Sequence, residues 1–262
     1  MNFELRISNF SQFAIRNSQF AIRNSMSTLT LVRHGQAMPF QKESDKLSPL
    51  GEAQSQKLGE FWAGQRLTFD EVYTGPLLRQ RQTGLLATAS AQQAGLTLPT
   101  PVQIQELSEY DSNGILSRLV PQLGERDPEF KALVEAFERA ETKLNRQFQR
   151  IFEVVVLHWL EGKLDSPDVE SWPAFRDRVY SAIRRITAGG GGGKRIAVFT
   201  SGGPIGVAVQ MAVGAPDRSA IEINWRVRNC SLTEFVFGSG RFSLDCFNAI
   251  PHLNEPGMST FR

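Results

Sequence analysis

Three short β-type runs, Leu29–Val32, Glu71–Thr74 and Arg195–Thr200, each give way to a turn that carries glycine and then to a helical stretch. Few folds accept that alternation. Parallel strands need helical crossovers, so the pattern predicts an α/β domain with a largely parallel sheet. Ser48 and Pro49 open a helix with apolar positions Leu50, Leu58, Phe61 and Trp62. A second helix, from Pro76, is expected to bury Leu77, Leu78, Leu85 and Leu86 before Gly95 ends it. Val102–Gln105 reads as a further strand. Between Glu129 and Leu160 an apolar period runs through Phe130, Leu133, Phe137, Leu144, Phe148, Ile151 and Val155, which predicts one long helix or two consecutive ones. Trp172–Thr187 and Pro204–Val213 read as helices, and Ser231–Phe237 and Arg241–Asn248 as late strands completing a sheet edge. The helical stretch of about 108–187 reads as a cap inserted into a sheet domain that spans 26–262.

The first 25 residues stand apart. SQFAIRN occurs at Ser11–Asn17 and again, unbroken, at Ser18–Asn24. Two seven-residue copies cannot build a core, so the segment reads as a disordered or spurious extension ahead of Met26. A transit peptide is the other reading, since the stretch bears Arg and Ser and is poor in acids. It lacks the apolar h-region of a secretory signal.

Charge narrows the functional classes. The chain has 29 Lys+Arg against 27 Asp+Glu, and setting aside Arg6, Arg16, Arg23 and Glu4 leaves 26 of each from Met26 onward. No basic run or net field marks a nucleic-acid binder. No apolar run approaches the roughly 20 residues of a membrane span. Cys230 and Cys246 are too few and too far apart for a metal knuckle or a disulfide framework, and they read as ordinary buried thiols in a cytoplasmic protein. No spacing of His, Cys, Asp and Glu looks like a metal site, and no cofactor motif survives inspection. Gly189–Gly193 before Lys194 looks like a phosphate loop, but Arg195 stands where Ser or Thr is needed and a strand follows.

The strand ends carry the chemistry. Open α/β sheets bind ligands beyond the carboxyl ends of their strands. There the chain places Arg33, His34 and Gly35; Gly75, Pro76 and Arg79; and Ser201, Gly202, Gly203 and Pro204. Two arginines and a histidine at neighbouring strand ends would form a cationic pocket for a phosphate dianion, because guanidinium grips it bidentately.

LVRHGQA (Leu31–Ala37), DKLSPLGEAQ (Asp45–Gln54) and YTGPLLRQRQT (Tyr73–Thr83) resemble the histidine phosphatase superfamily, also called phosphoglycerate mutase-like, and the resemblance extends from Met26 to about Asn248. It implies a three-layer α/β/α sandwich and a phosphatase that needs no metal, acting on a small phosphomonoester. By motif, His34 would become phosphohistidine, Arg33 and Arg79 would bind the phosphoryl oxygens, and Glu109 would protonate the leaving oxygen. The departure lies in VFTSGGPIG (Val198–Gly206), where Ser201 takes the place of the family's second histidine. Ser201 and Gly202 are then expected at the phosphate as neutral donors, with simple helix capping as the other reading of Ser201. Two further functions stay open: phosphoryl transfer of the mutase type, and a weakly active phosphate-binding module. A homodimer is the base-rate expectation.

Overall fold

The computed structural model describes residues 26–38, 45–140, 144–189 and 192–261. The repeat-bearing extension, residues 1–25, lies outside them. The strands are β1 (Ser27–Arg33), β2 (Glu71–Thr74), β3 (Val102–Gln103), β4 (Arg195–Thr200), β5 (Leu232–Gly238) and β6 (Arg241–Ala249), in sheet order β3-β2-β4-β1-β5-β6. β1, β2, β3 and β4 run parallel, while β5 and β6 add an antiparallel edge. β1 pairs with β4 from Thr28 opposite Arg195 to Arg33 opposite Thr200. The residues following these two strands therefore emerge side by side on one edge.

The pleat sorts side chains to two faces. Leu29, Leu31, Ile196 and Val198 share a cluster with α6 (Trp172–Thr187) and α7 (Gly202–Val213); Val32, Ala197 and Phe199 share one with α1 (Pro49–Gly64) and α2 (Leu78–Gln93). Helices on both faces of a mostly parallel sheet make a three-layer α/β/α sandwich. β4 accordingly reads as a continuous apolar run from Ile196 to Phe199, all of it buried. The start of α1 is also as the residues predict: Ser48 is the N-cap, its hydroxyl accepting from the Gly51 N–H at 3.1 Å, with Pro49 in the first turn.

The buried face of α2 differs from expectation. Leu78 and Leu85 are 36% and 57% exposed, and the residues turned inward are Gln80, Thr83, Gly84, Ala87, Ser90 and Ala91. The reason is close approach. A Cβ on Gly59 of α1 would lie 2.2 Å from the Ala87 carbonyl, and one on Gly84 would lie 3.0 Å from the Phe199 ring. Only small side chains fit such a seam, so a count of leucines points to the wrong face.

The stretch between β3 and β4 holds a 3-10 turn (Gln105–Leu107), short helical turns, α3 (Val120–Arg126), α4 (Pro128–Glu138), α5 (Leu144–Leu160) and α6. The long apolar period is thus two helices. Within the stretch α6 lies on the sheet, with Val179 and Ile183 in the cluster of Leu29 and Ile196. An aromatic set joins α5 to α6: Trp159 meets Trp172 edge-on at 5.6 Å, and Tyr110 meets Phe175 edge-on at 5.5 Å. One helix had no forecast, α8 (Asp217–Asn224). It is eight residues long, and Pro216 stands at its start in place of a capping side chain.

No helix among the described residues is long and apolar enough to cross a membrane. Cys230 is fully buried, whereas Cys246 sits half-buried on the edge strand β6, so the expectation of two buried thiols holds for one. Among the described residues the His158 ring bonds within its own helix, Nδ1 lying 2.8 Å from the Val154 carbonyl. His252 is buried against Phe61, and burial pushes its pKa down to about 4. The unfolded chain takes up a proton below about pH 6.5 that the folded imidazole refuses until about pH 4, so stability falls as pH drops across that window. The loss from this group is up to about 3 kcal/mol. Urea denaturation at pH 7 and pH 4 should show a smaller acid loss for His252→Leu than for the wild type; equal losses would assign the acid sensitivity elsewhere.

Candidate active site

His34 stands just past β1 in a backbone fixed on both sides. Its N–H donates to the Thr200 carbonyl at 2.8 Å, and its own carbonyl accepts from Cys230 N at 3.2 Å and from the Asn229 amide at 3.3 Å. Gly35 next to it is required: a Cβ there would lie 2.5 Å from the Gly51 carbonyl of α1. The ring is oriented by its own chain. Nδ1 lies 2.7 Å from the Gly35 carbonyl, which accepts only, so Nδ1 carries the proton. Nε2 then presents a lone pair, and it accepts from Arg79 Nε–H at 3.1 Å. Burial, then the charge of Arg79, then that of Arg33 hold the His34 pKa well below the usual imidazole range. The ring is therefore neutral and nucleophilic at Nε2.

Arg79, in the first turn of α2, is held by a side chain that sequence reasoning did not single out. Asp45 accepts from Arg79 Nη1 at 2.5 Å and from the backbone N–H of Leu78 at 2.7 Å. Arg33 is 8% exposed; its Nη1 donates to the carbonyls of Val227 and, at 2.8 Å, Phe261. Both guanidinium groups act electrostatically on His34 and on Glu109.

Glu109 sits where the 3-10 turn leaves the sheet edge and meets the N-terminus of α7. One carboxyl oxygen accepts from Gly203 N at 3.0 Å, the other from Tyr110 N at 3.1 Å. Gly203 N–H is one of the unpaired donors of the first helical turn, a natural anion site. The approach leaves no room for a side chain, since a Cβ on Gly203 would lie 2.0 Å from Glu109 Oε1. Burial raises the Glu109 pKa; it outweighs the opposing pull of Gly203 N–H, Arg79, Tyr110 N–H and Arg33. A carboxyl so placed holds its proton above the ordinary carboxylate range, as a general acid must.

Ser201 is fully buried and is the N-cap residue of α7, but its side chain makes no capping bond. Its hydroxyl instead accepts from Gln80 Nε2 at 2.8 Å. The direction is unambiguous. Gln80 Oε1 accepts from Leu77 N at 3.1 Å and Nε2 donates to the Leu107 carbonyl at 3.2 Å, so two backbone groups fix which end of the amide is which. The Ser201 proton is then committed to none of the described residues. Gly202, expected beside the phosphate, packs against α8, where a Cβ would lie 2.1 Å from Asn224 Oδ1.

The structure thus brings Arg33, His34, Arg79 and Glu109 together at one sheet edge and ties Ser201 to that edge through Gln80. Asp45 and Gln80 are the participants that sequence reasoning passed over, and Gly203, placed at a strand end by the sequence, is the backbone donor to Glu109. Asp45 lies within a quoted motif and Gln80 is next to Arg79, but neither chain position reveals which way a side chain turns.

Comparison with known proteins bears on the fold and the family. A search of curated proteins found no match. Among solved structures, phosphoglycerate mutase from Bacillus anthracis superposes with a TM-score of 0.56 at 18% identity, covering 88% of this chain and 96% of that one. An alpha-ribazole phosphatase from Shigella flexneri gives 0.55 at 19%, covering 85% and 96%. A phosphoserine phosphatase mutant from Entamoeba histolytica, in complex with phosphoserine, gives 0.53 at 19%, covering 87% and 100%. At such identities these likenesses establish the shared fold. The sequence profile of the histidine phosphatase superfamily (branch 1) matches residues 29–142 and 129–250, from within β1 to just past β6. On that match the chain belongs to the histidine phosphatase superfamily, branch 1.

Proposed function

We propose that the protein is a phosphatase that cleaves a small phosphomonoester without a metal, through a phosphohistidine on His34. The observation that carries this reading is the pairing of a neutral His34, with its lone pair at Nε2, and a buried, proton-holding Glu109 under the same two arginines. In the first step Nε2 attacks phosphorus and the ester P–O bond breaks. The leaving oxygen takes the Glu109 proton, while Arg33 and Arg79 offset charge on the phosphoryl oxygens. In the second step Glu109, now a base, takes a proton from water as its oxygen attacks the phosphohistidine. Inorganic phosphate leaves and the imidazole lone pair is restored. The finding that Ser201 is an acceptor from Gln80 supports a third contact, the Ser201 O–H donating to a phosphoryl oxygen.

That contact has its own test. Ser201→Ala should weaken inhibition by inorganic phosphate about tenfold, corresponding to ~1–2 kcal/mol for a hydroxyl–anion bond. An unchanged inhibition constant would show that the hydroxyl points elsewhere. The function as a whole is tested by incubating the wild type, with excess chelator, against p-nitrophenyl phosphate and small phosphomonoesters, following products by phosphorus NMR. Release of inorganic phosphate is expected. Loss of release on chelation would overturn metal independence, isomerised ester in place of phosphate would make the protein a mutase, and phosphate binding without turnover would make it a binding module.

A further inference from the structure

We propose that Arg178, on α6, is the positioning residue that sets the general acid Glu109; this rests on the reading of Glu109 given above. Glu109 projects from a segment that has no regular ladder of its own, yet each carbonyl from Glu106 to Glu109 receives a donor. Arg178 supplies three of them: Nη1 donates to Glu106 O at 2.7 Å and to Ser108 O at 2.9 Å, and Nη2 to Glu109 O at 3.4 Å. The remaining carbonyl, of Leu107, accepts from Thr200 Oγ1 at 2.8 Å and from Gln80 Nε2. Arg178 is itself clamped, Nε and Nη2 lying 2.7 and 2.9 Å from the two carboxylate oxygens of Glu170, with its guanidinium carbon 4.7 Å from the centre of the Phe175 ring. Phe175 in turn lies against Gly203, the backbone donor to Glu109.

The arrangement has the chemistry of a template. Arginine presents five donors in one rigid plane, so a single side chain can hold a carboxylate on one side and three carbonyls on the other. Lysine, a flexible point charge, cannot. The charge of Arg178 is met by Glu170 and its contact with Glu109 is through the backbone carbonyl, so its action on the carboxyl is geometric. Proton transfer to a leaving oxygen tolerates little misplacement, and an error of about 1 Å costs on the order of 10²-fold.

The test separates positioning from folding by leaving group. An alkyl phosphomonoester needs the Glu109 proton, whereas p-nitrophenolate departs without one. Arg178→Lys should lower kcat about 10- to 100-fold on the alkyl ester with KM nearly unchanged, and lower turnover of p-nitrophenyl phosphate by no more than about threefold. Glu170→Gln, which loosens the clamp and leaves Arg178 in place, should give the same split on a smaller scale and reports even if Arg178→Lys fails to fold. In a Glu109→Gln background, Arg178→Lys should cost nothing further on the alkyl ester. Equal losses on both esters, or additive losses in the double variant, would overturn the proposal while the Glu109→Gln split keeps Glu109 as the acid. A Glu109→Gln variant that loses the same factor on both esters would sink the acid role itself and this proposal with it.

Discussion

His34→Ala is expected to lose phosphomonoester turnover by about 10⁴-fold or more, the scale on which enzymes lose activity when a covalent nucleophile is removed. The substitution deletes Nε2 and leaves its setting in place. The residue's backbone bonds to Thr200, Cys230 and Asn229 do not involve the ring, so the sheet edge should survive. Arg33 and Arg79 remain, and on the proposed reading the variant should bind phosphate with wild-type order of affinity while failing to turn over. An acid-labile, base-stable phosphoenzyme should be trapped by rapid quench from the wild type and be missing from the variant. Turnover within about tenfold of wild type would rule out His34 as nucleophile. The same ring sets the acid limb of activity: protonation at Nε2 would remove the lone pair, and since burial and the two arginines depress its pKa, activity should persist below the pH at which an ordinary histidine titrates.

Glu109→Gln should cost about 10²- to 10⁴-fold on esters whose leaving oxygen must be protonated, and far less on p-nitrophenyl phosphate. Glutamine has nearly the same shape but no acidic proton. It also has only one carbonyl oxygen for the two N–H groups of Gly203 and Tyr110, so one donor meets an amide NH₂ and part of the loss falls on local order. The pH profile distinguishes the chemical part. With its pKa raised by burial, Glu109 keeps its proton above the usual carboxylate range, so turnover of alkyl esters should fall as pH rises through that pKa, and the fall should vanish in the variant. A basic limb that persists in Glu109→Gln would assign it to another group.

Much of this was legible in the chain because it follows from local rules. β4, buried at every residue but its first, is apolar from Ile196 to Phe199 and occupies the residues that run marked, while β2 occupies Glu71–Thr74 with alternate residues buried. Ser48 followed by Pro49 specifies a helix start through one hydroxyl and one fixed φ. Where local rules compete with close approach, the pattern misleads. The three leucines of α2, Leu78, Leu85 and Leu86, are its most apolar residues, yet Gly59 and Gly84 bring neighbours so near that the seam admits only small side chains. A short helix such as α8, with Pro216 in place of a capping side chain, gives no start signal in the chain.

The sequence by itself determined the residue types of a phosphoryl site, the order in which they follow the strands, and the class of fold that lines those strand ends along one edge. Tertiary structure alone decided how each group is held there, because protonation, donor direction and reach depend on partners remote in the chain. Gly35 O fixes the His34 proton on Nδ1 and Arg79 donates to the lone pair this leaves on Nε2; Gln80 turns Ser201 into an acceptor with a proton to give; Arg178, Thr200 and Gln80 hold the segment that carries Glu109. Hydrogen bonds are directional over about 3 Å, and no spacing along a chain encodes a direction in space.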